Sequence, residues 1–148
     1  MIHRGCLLLL LCLLCLSPGW FLRAQNQRID SLEKRLSAAT NPAEQSQLLM
    51  DLFDAVETSD PQQALVIARE NKRLVSAGRI FSDRDRMDAS NHLGIAYMNL
   101  NQSDSALFYF QLVLDMAFEL NDSVYMSKAY NNMGALNGNL GNYTSSMF

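Results

Sequence analysis

The sequence predicts an all-α protein built of stacked, antiparallel helix pairs, and three observations carry that expectation. Apolar residues recur three and four positions apart between charged ones, the spacing of an amphipathic helix. Cap residues followed by proline, or short polar turns, interrupt this pattern at regular intervals. The segment Asn91-His92-Leu93-Gly94 is echoed forty residues later by Asn131-Asn132-Met133-Gly134, which marks an internal repeat. No alternating run of β-branched residues competes for strand.

The chain has 148 residues, 49% of them apolar, enough for one domain of ordinary size with a buried core. Residues 1–24 stand apart from the rest. Residues 6–16 read CLLLLLCLLCL, behind Arg4 and ahead of Pro18, Gly19 and Ala24. A charged start, an apolar run of about ten residues and a small residue at the end describe a secretory signal peptide. A membrane anchor would need ~20 apolar residues, which this run reaches only by taking in Ser17, Pro18, Gly19 and Arg23. Cleavage after Ala24 and residence in the periplasm are therefore expected, with an uncleaved membrane tether as the alternative. Cleavage would remove Cys6, Cys12 and Cys15, the three cysteines of the chain, excluding disulfides, thiolate metal sites and a cysteine nucleophile. It would leave ten Lys and Arg against fifteen Asp and Glu. That acidic balance lacks the basic stripe nucleic acid requires.

Residues 25–40 predict a short leading helix, with Ile29, Leu32 and Leu36 on one stripe. Asn41-Pro42 then supplies a cap and a first-turn proline, with Glu44 placed to return a bond. The first pair covers 43–78: one helix carries Leu48, Leu49, Leu52, Phe53 and Val56, and Ser59-Asp60-Pro61 breaks it. Its second helix carries Ala64, Leu65, Ile67, Ala68 and Leu74 and ends at Gly78, placed for a left-handed stop. The second pair covers 83–120. Leu93, Ile95, Ala96 and Met98 mark its first helix, the turn falls at Asn101 to Ser103, and the second helix runs from Ala106 to Leu120. A third unit, 122–148, begins at Asp122 and is expected to break at Gly141-Asn142, with a partner helix starting near Tyr143. So little chain remains beyond that break that the third unit is expected to be truncated, leaving an apolar face open to self-association.

The middle unit resembles the tetratricopeptide repeat. Leu93-Gly94 is followed by Tyr97 and, after the turn, Ala106 is followed by Phe110, with that family's spacings. The first unit has Leu52, Ala55, Ala64 and Ala68 at the matching places; the third keeps Met133-Gly134 and Tyr143 but has Asn137 and Ser146 in place of an aromatic and an alanine. The family's opening Trp and closing Pro are absent, and the period is about forty where thirty-four is usual. The resemblance implies a right-handed superhelical stack. In it Gly94 and Ala106 would admit close helix approach, while Tyr97 and Phe110 would fill the space between pairs. The arrangement is also similar to the exported N-terminal repeat region of Bacteroidetes-type sensor histidine kinases and related regulators. That similarity implies an alternative role, as the truncated sensory end of a membrane-bound signalling protein whose effector lies downstream.

Catalysis needs titratable groups held together, and beyond the leader the chain has one histidine, His92, and no cysteine. His92 beside Leu93-Gly94 reads as a helix-surface or packing residue. Gly134, Gly138 and Gly141 lack the lysine and the strand of a phosphate loop. The run Asp83-Arg84-Asp85-Arg86-Met87-Asp88 lacks the glycine and terminal glutamate of a calcium loop and reads as a solvated, self-paired helix start. No catalytic residue, cofactor or metal is expected. Binding remains, because stacked helix pairs leave a concave face lined by the first helix of each pair. The resemblance to the tetratricopeptide repeat implies that Asn91, Ile95, Met98, Asn99, Lys128, Asn131 and Ala135 face that groove, where they would hold a protein or peptide partner. The sequence thus predicts an exported interaction module, scaffold or sensory, without catalysis of its own.

Overall fold

The computed structural model describes residues 18–145 with the exception of Arg79, and side chains between residues 23 and 138. Residues 1–17, and with them most of the expected leader, lie outside the described residues. Among the described residues six helices follow one another: α1 Pro18–Ala38, α2 Pro42–Val56, α3 Pro61–Ala77, α4 Asp83–Asn99, α5 Ser103–Glu119 and α6 Ser123–Ser145. There is no strand among the described residues, and each helix packs against the next in order.

Local chemistry sets most of the boundaries. Asn41 Oδ1 accepts from the Ala43 amide at 2.9 Å and Asp60 Oδ1 from the Gln63 amide at 2.9 Å, each just ahead of a first-turn proline. At the start of α4, Ser82 and Asp85 form a reciprocal box: the Ser82 amide donates to Asp85 at 2.7 Å, and the Asp85 amide donates to Ser82 Oγ at 3.3 Å. Helices α4 and α5 end alike. Asn101 and Asn121 adopt left-handed backbone, φ 57° and 53°. In each case the next amide reaches back to the carbonyl five residues earlier, Gln102 to Tyr97 and Asp122 to Ala117, both at 2.9 Å. This is the Schellman closure, and asparagine tolerates its left-handed residue better than most side chains do.

The expected left-handed stop at Gly78 is corrected: its φ is −89°, in extended backbone. The glycine answers to space instead, since an added Cβ would sit 2.6 Å from the Phe81 ring. Helix α1 starts seven residues ahead of the expected leading helix and runs without interruption through Ala24. Pro18 suits a first turn, and no breaker follows Gly19 until Thr40-Asn41-Pro42. Helix α6 likewise corrects the expected break at Gly141-Asn142 and the expected new helix near Tyr143, because it continues to Ser145. A glycine without a following proline costs only about 1 kcal/mol in a helix interior, which an established helix can carry.

The core runs along the array in successive clusters. Leu32 of α1, Leu48, Leu52 and Phe53 of α2, Ala64 and Ala68 of α3, and Leu93 and Ala96 of α4 form one buried cluster. Met87 of α4 joins Val113, Leu114 and Ala117 of α5 and Tyr125 and Ala129 of α6 in a second. Phe110 is buried with Ala106 and Leu136 in a third cluster, against which Ile95, Tyr97 and Met98 pack. Its ring lies against Gly94, where any Cβ would collide with it. Tyr97 stacks on Tyr109 at 5.6 Å and accepts from Arg69 Nη2 at 3.0 Å, tying α3, α4 and α5 together.

Candidate functional site

The first helices of the three units, α2, α4 and α6, contact one another through side chains that cross a full repeat. From α2 to α4, the His92 ring stacks on Phe53 with centroids 4.5 Å apart, and Asn99 Nδ2 donates to the Glu57 carbonyl at 3.0 Å. Helix α6 reaches α4 through Tyr125 Oη, which donates to Asp88 at 2.7 Å, and Lys128 Nζ, which reaches the other Asp88 oxygen at 3.4 Å. Asn132 Nδ2 donates to Asn91 Oδ1 at 2.7 Å. The Lys128 ammonium also lies 4.4 Å from the centre of the Tyr125 ring, within cation–π range.

The seven expected groove residues differ in their surroundings. Asn91 is buried, 8% exposed, with its amide bonded to Asn132. Ile95 is half-buried against two core clusters, Met98 packs beside Phe110, and Asn99 is held by the Glu57 carbonyl. Lys128, Asn131 and Ala135 are exposed. The difference has a positional cause: Asn131 and Ala135 stand forty residues after Asn91 and Ile95, but no described helix covers them as α6 covers the α4 pair. The seven therefore do not form one open surface. Asn91, Asn99 and Lys128 bond across units, Ile95 and Met98 pack against the core, and Asn131 and Ala135 are exposed.

Sequence reasoning missed Asp88, Tyr125 and Asn132. The signal for Asp88 was present, because Asp88 and Lys128 are separated by the repeat length itself. The charged run at 83–88 is only partly self-paired. Arg86 bonds Asp83 at 2.9 Å within the helix, whereas Arg84 reaches Asp122 at 2.8 Å and Asp88 serves α6. His92 is no free surface group: burial against Phe53 holds its pKa below the ordinary 6.5, outweighing the opposing pull of Asp54 and Asp88. The Tyr125 hydroxyl is pushed well above its usual range by burial and by its bond to Asp88, so it stays a donor. Glu57 is raised by burial and then by Asp54.

Chemically, the arrangement offers a neutral imidazole, a carboxylate already bonded by two donors, and exposed amide and ammonium groups along α6. No group of three or more histidine, cysteine or acidic side chains suited to a metal occurs among the described residues. Beside this face, a cleft of about 430 Å³ between α1 and α2 is lined by Ala24, Gln25, Arg28, Asp54, Ala55 and Thr58. Gln25 Nε2 donates to the Ala55 carbonyl there at 2.9 Å. None of the described helices is long and apolar enough to cross a membrane. Compared with known protein families, curated proteins and solved structures, the chain finds no match.

Proposed function

We propose that this chain is an exported, tetratricopeptide-like interaction module that holds a protein or peptide and carries out no catalysis of its own. The reading rests chiefly on one observation. The first helices α2, α4 and α6 are joined side by side through repeat-spaced contacts, His92 on Phe53 and Asn132 on Asn91, so that they present one ribbed face. Along it stand Asp54 of α2, whose charge reaches His92 of α4, and the exposed Lys128, Asn131 and Ala135 of α6. Polar, rigidly held groups at helix-pair spacing suit an extended or helical peptide, whose backbone amides and charged side chains need spaced acceptors and donors.

Site-directed photo-crosslinking in the exporting cell tests this. A photoreactive residue at Asp54 or Lys128 should yield the same discrete adduct, and one at Asp115 on the exposed side of α5 should not. Adducts absent at all three positions, or equal at all three, would refute an inner-face partner.

A further inference from the structure

The lysines of the chain are Lys34, Lys72 and Lys128, and each stands in a different setting. Lys34 is exposed on α1, and Lys128 lies 3.4 Å from the Asp88 carboxylate. Lys72 is half-buried on α3, at its packing with α4. Its Nζ donates to Ser90 Oγ at 2.8 Å, and the fully buried Ser90 commits its own proton to the Arg86 carbonyl at 2.7 Å. Among the described residues no carboxylate forms an ion pair with Lys72. Glu70, on the same helix, is taken by Arg73 at 2.6 Å, and Asp83 of α4 by Arg86 at 2.9 Å. Toward α2, the neighbouring Asn71 is bonded to Ser46, an uncharged pair. The charge that bears on Lys72 is that of Arg86, of the same sign. Burial and then this charge hold the amine below the ordinary lysine range.

We propose that Lys72 is an acylation site, a nucleophilic amine that accepts an acyl group from an acyl phosphate. The Ser90 hydroxyl holds the nitrogen in place through one N–H, which leaves the lone pair of the neutral amine free to attack the acyl carbonyl carbon. A C–N bond forms, the C–O bond to phosphate breaks, inorganic phosphate leaves with the bonding electrons, and the surplus amine proton passes to water. Arg86, whose side chain is partly exposed, supplies positive charge for an anionic donor and for the departing phosphate. The product suits the site. An acylated lysine keeps one N–H, enough for the bond to Ser90, and loses the charge that burial disfavours. This site lies between α3 and α4 and does not depend on the proposed peptide partner.

The test treats the full-length chain with limiting acetyl phosphate near neutral pH and follows acetylation of each lysine by peptide mass spectrometry. Lys72 should be acetylated severalfold faster than exposed Lys34, and ion-paired Lys128 slowest of the three. The preference should vanish in urea, which dissolves the contact with Ser90. It should vanish also at a pH above the ordinary lysine range, where Lys34 is neutral as well. Ser90→Ala removes the acceptor that holds the amine, and Arg86→Gln removes the neighbouring charge. Each should bring Lys72 down toward the Lys34 rate while keeping the circular dichroism of the parent. Acetylation of Lys72 no faster than that of Lys34 in the folded chain would overturn the proposal. So would a preference that persists in urea, or one that neither substitution lowers.

Discussion

At the scale of single residues, what decides a side chain's worth is the space its neighbours leave, and the glycines show it. Gly94 has none to spare beneath Phe110, whereas Gly134 stands open. Both lie inside helices, where glycine is less favourable than alanine by about 0.5–1 kcal/mol. Gly94→Ala should therefore lower stability by ~1–3 kcal/mol, the usual cost of overpacking. Gly134→Ala should raise it by about 0.5–1 kcal/mol. Urea midpoints measure both; a destabilising Gly134→Ala would mean that the face of α6 is already covered. The close approach at Gly94 was legible in the sequence, because Leu93-Gly94 and Ala106 to Phe110 stand at helix-pair spacing. The stacking of His92 on Phe53 was not. It depends on the lateral offset between α2 and α4, which no local pattern records.

At the scale of elements, starts were easier to read than stops. Asn41-Pro42 and Asp60-Pro61 combine a side-chain acceptor with a residue that needs no amide partner, so cap and helix are specified together. A helix end is written more weakly. Gly78 was the natural candidate for a left-handed residue, yet Asn101 and Asn121 take that role, each closing a helix that the sequence marks only by polar residues. Their backbone leads to a test. Asn101→Gly and Asn121→Gly should be neutral or stabilising, while Asn101→Ala and Asn121→Ala should each cost about 1 kcal/mol, because a β-carbon disfavours left-handed backbone. Thermal unfolding of the four variants checks this, and alanine proving the better replacement would show that these turns are not left-handed. The overrun of α6 past Gly141-Asn142 has the same origin: without proline, a turn-like pair is only a mild deterrent to a helix already formed. The start of α1 at Pro18 was hidden because the apolar run of a leader and the first turn of a helix favour overlapping residues.

At the scale of the whole molecule, the arrangement is nearly one-dimensional, since each helix packs mainly on its neighbours in sequence. The core follows the same logic: one cluster runs from α1 to α4, and two others join α4 and α5 to α6. In such an array stability is approximately a sum over units and the interfaces between them, so damage at one end stays near that end. Leu136 is a suitable probe because it is 3% exposed and ties α6 to Phe110 and Ala106. Leu136→Ala should cost ~2–5 kcal/mol locally, as buried leucine truncations do. Amide exchange should then quicken throughout 123–138 and in the half of α5 that contacts it. In 61–77, where α3 is held by the other cluster, protection should hardly change. Val75→Ala, a buried position in α3, should give the mirror result, with 123–138 spared. Equal loss of protection along the chain in either variant would mean that the six helices unfold as one cooperative body. The repeat register would then describe the sequence without governing how the molecule comes apart.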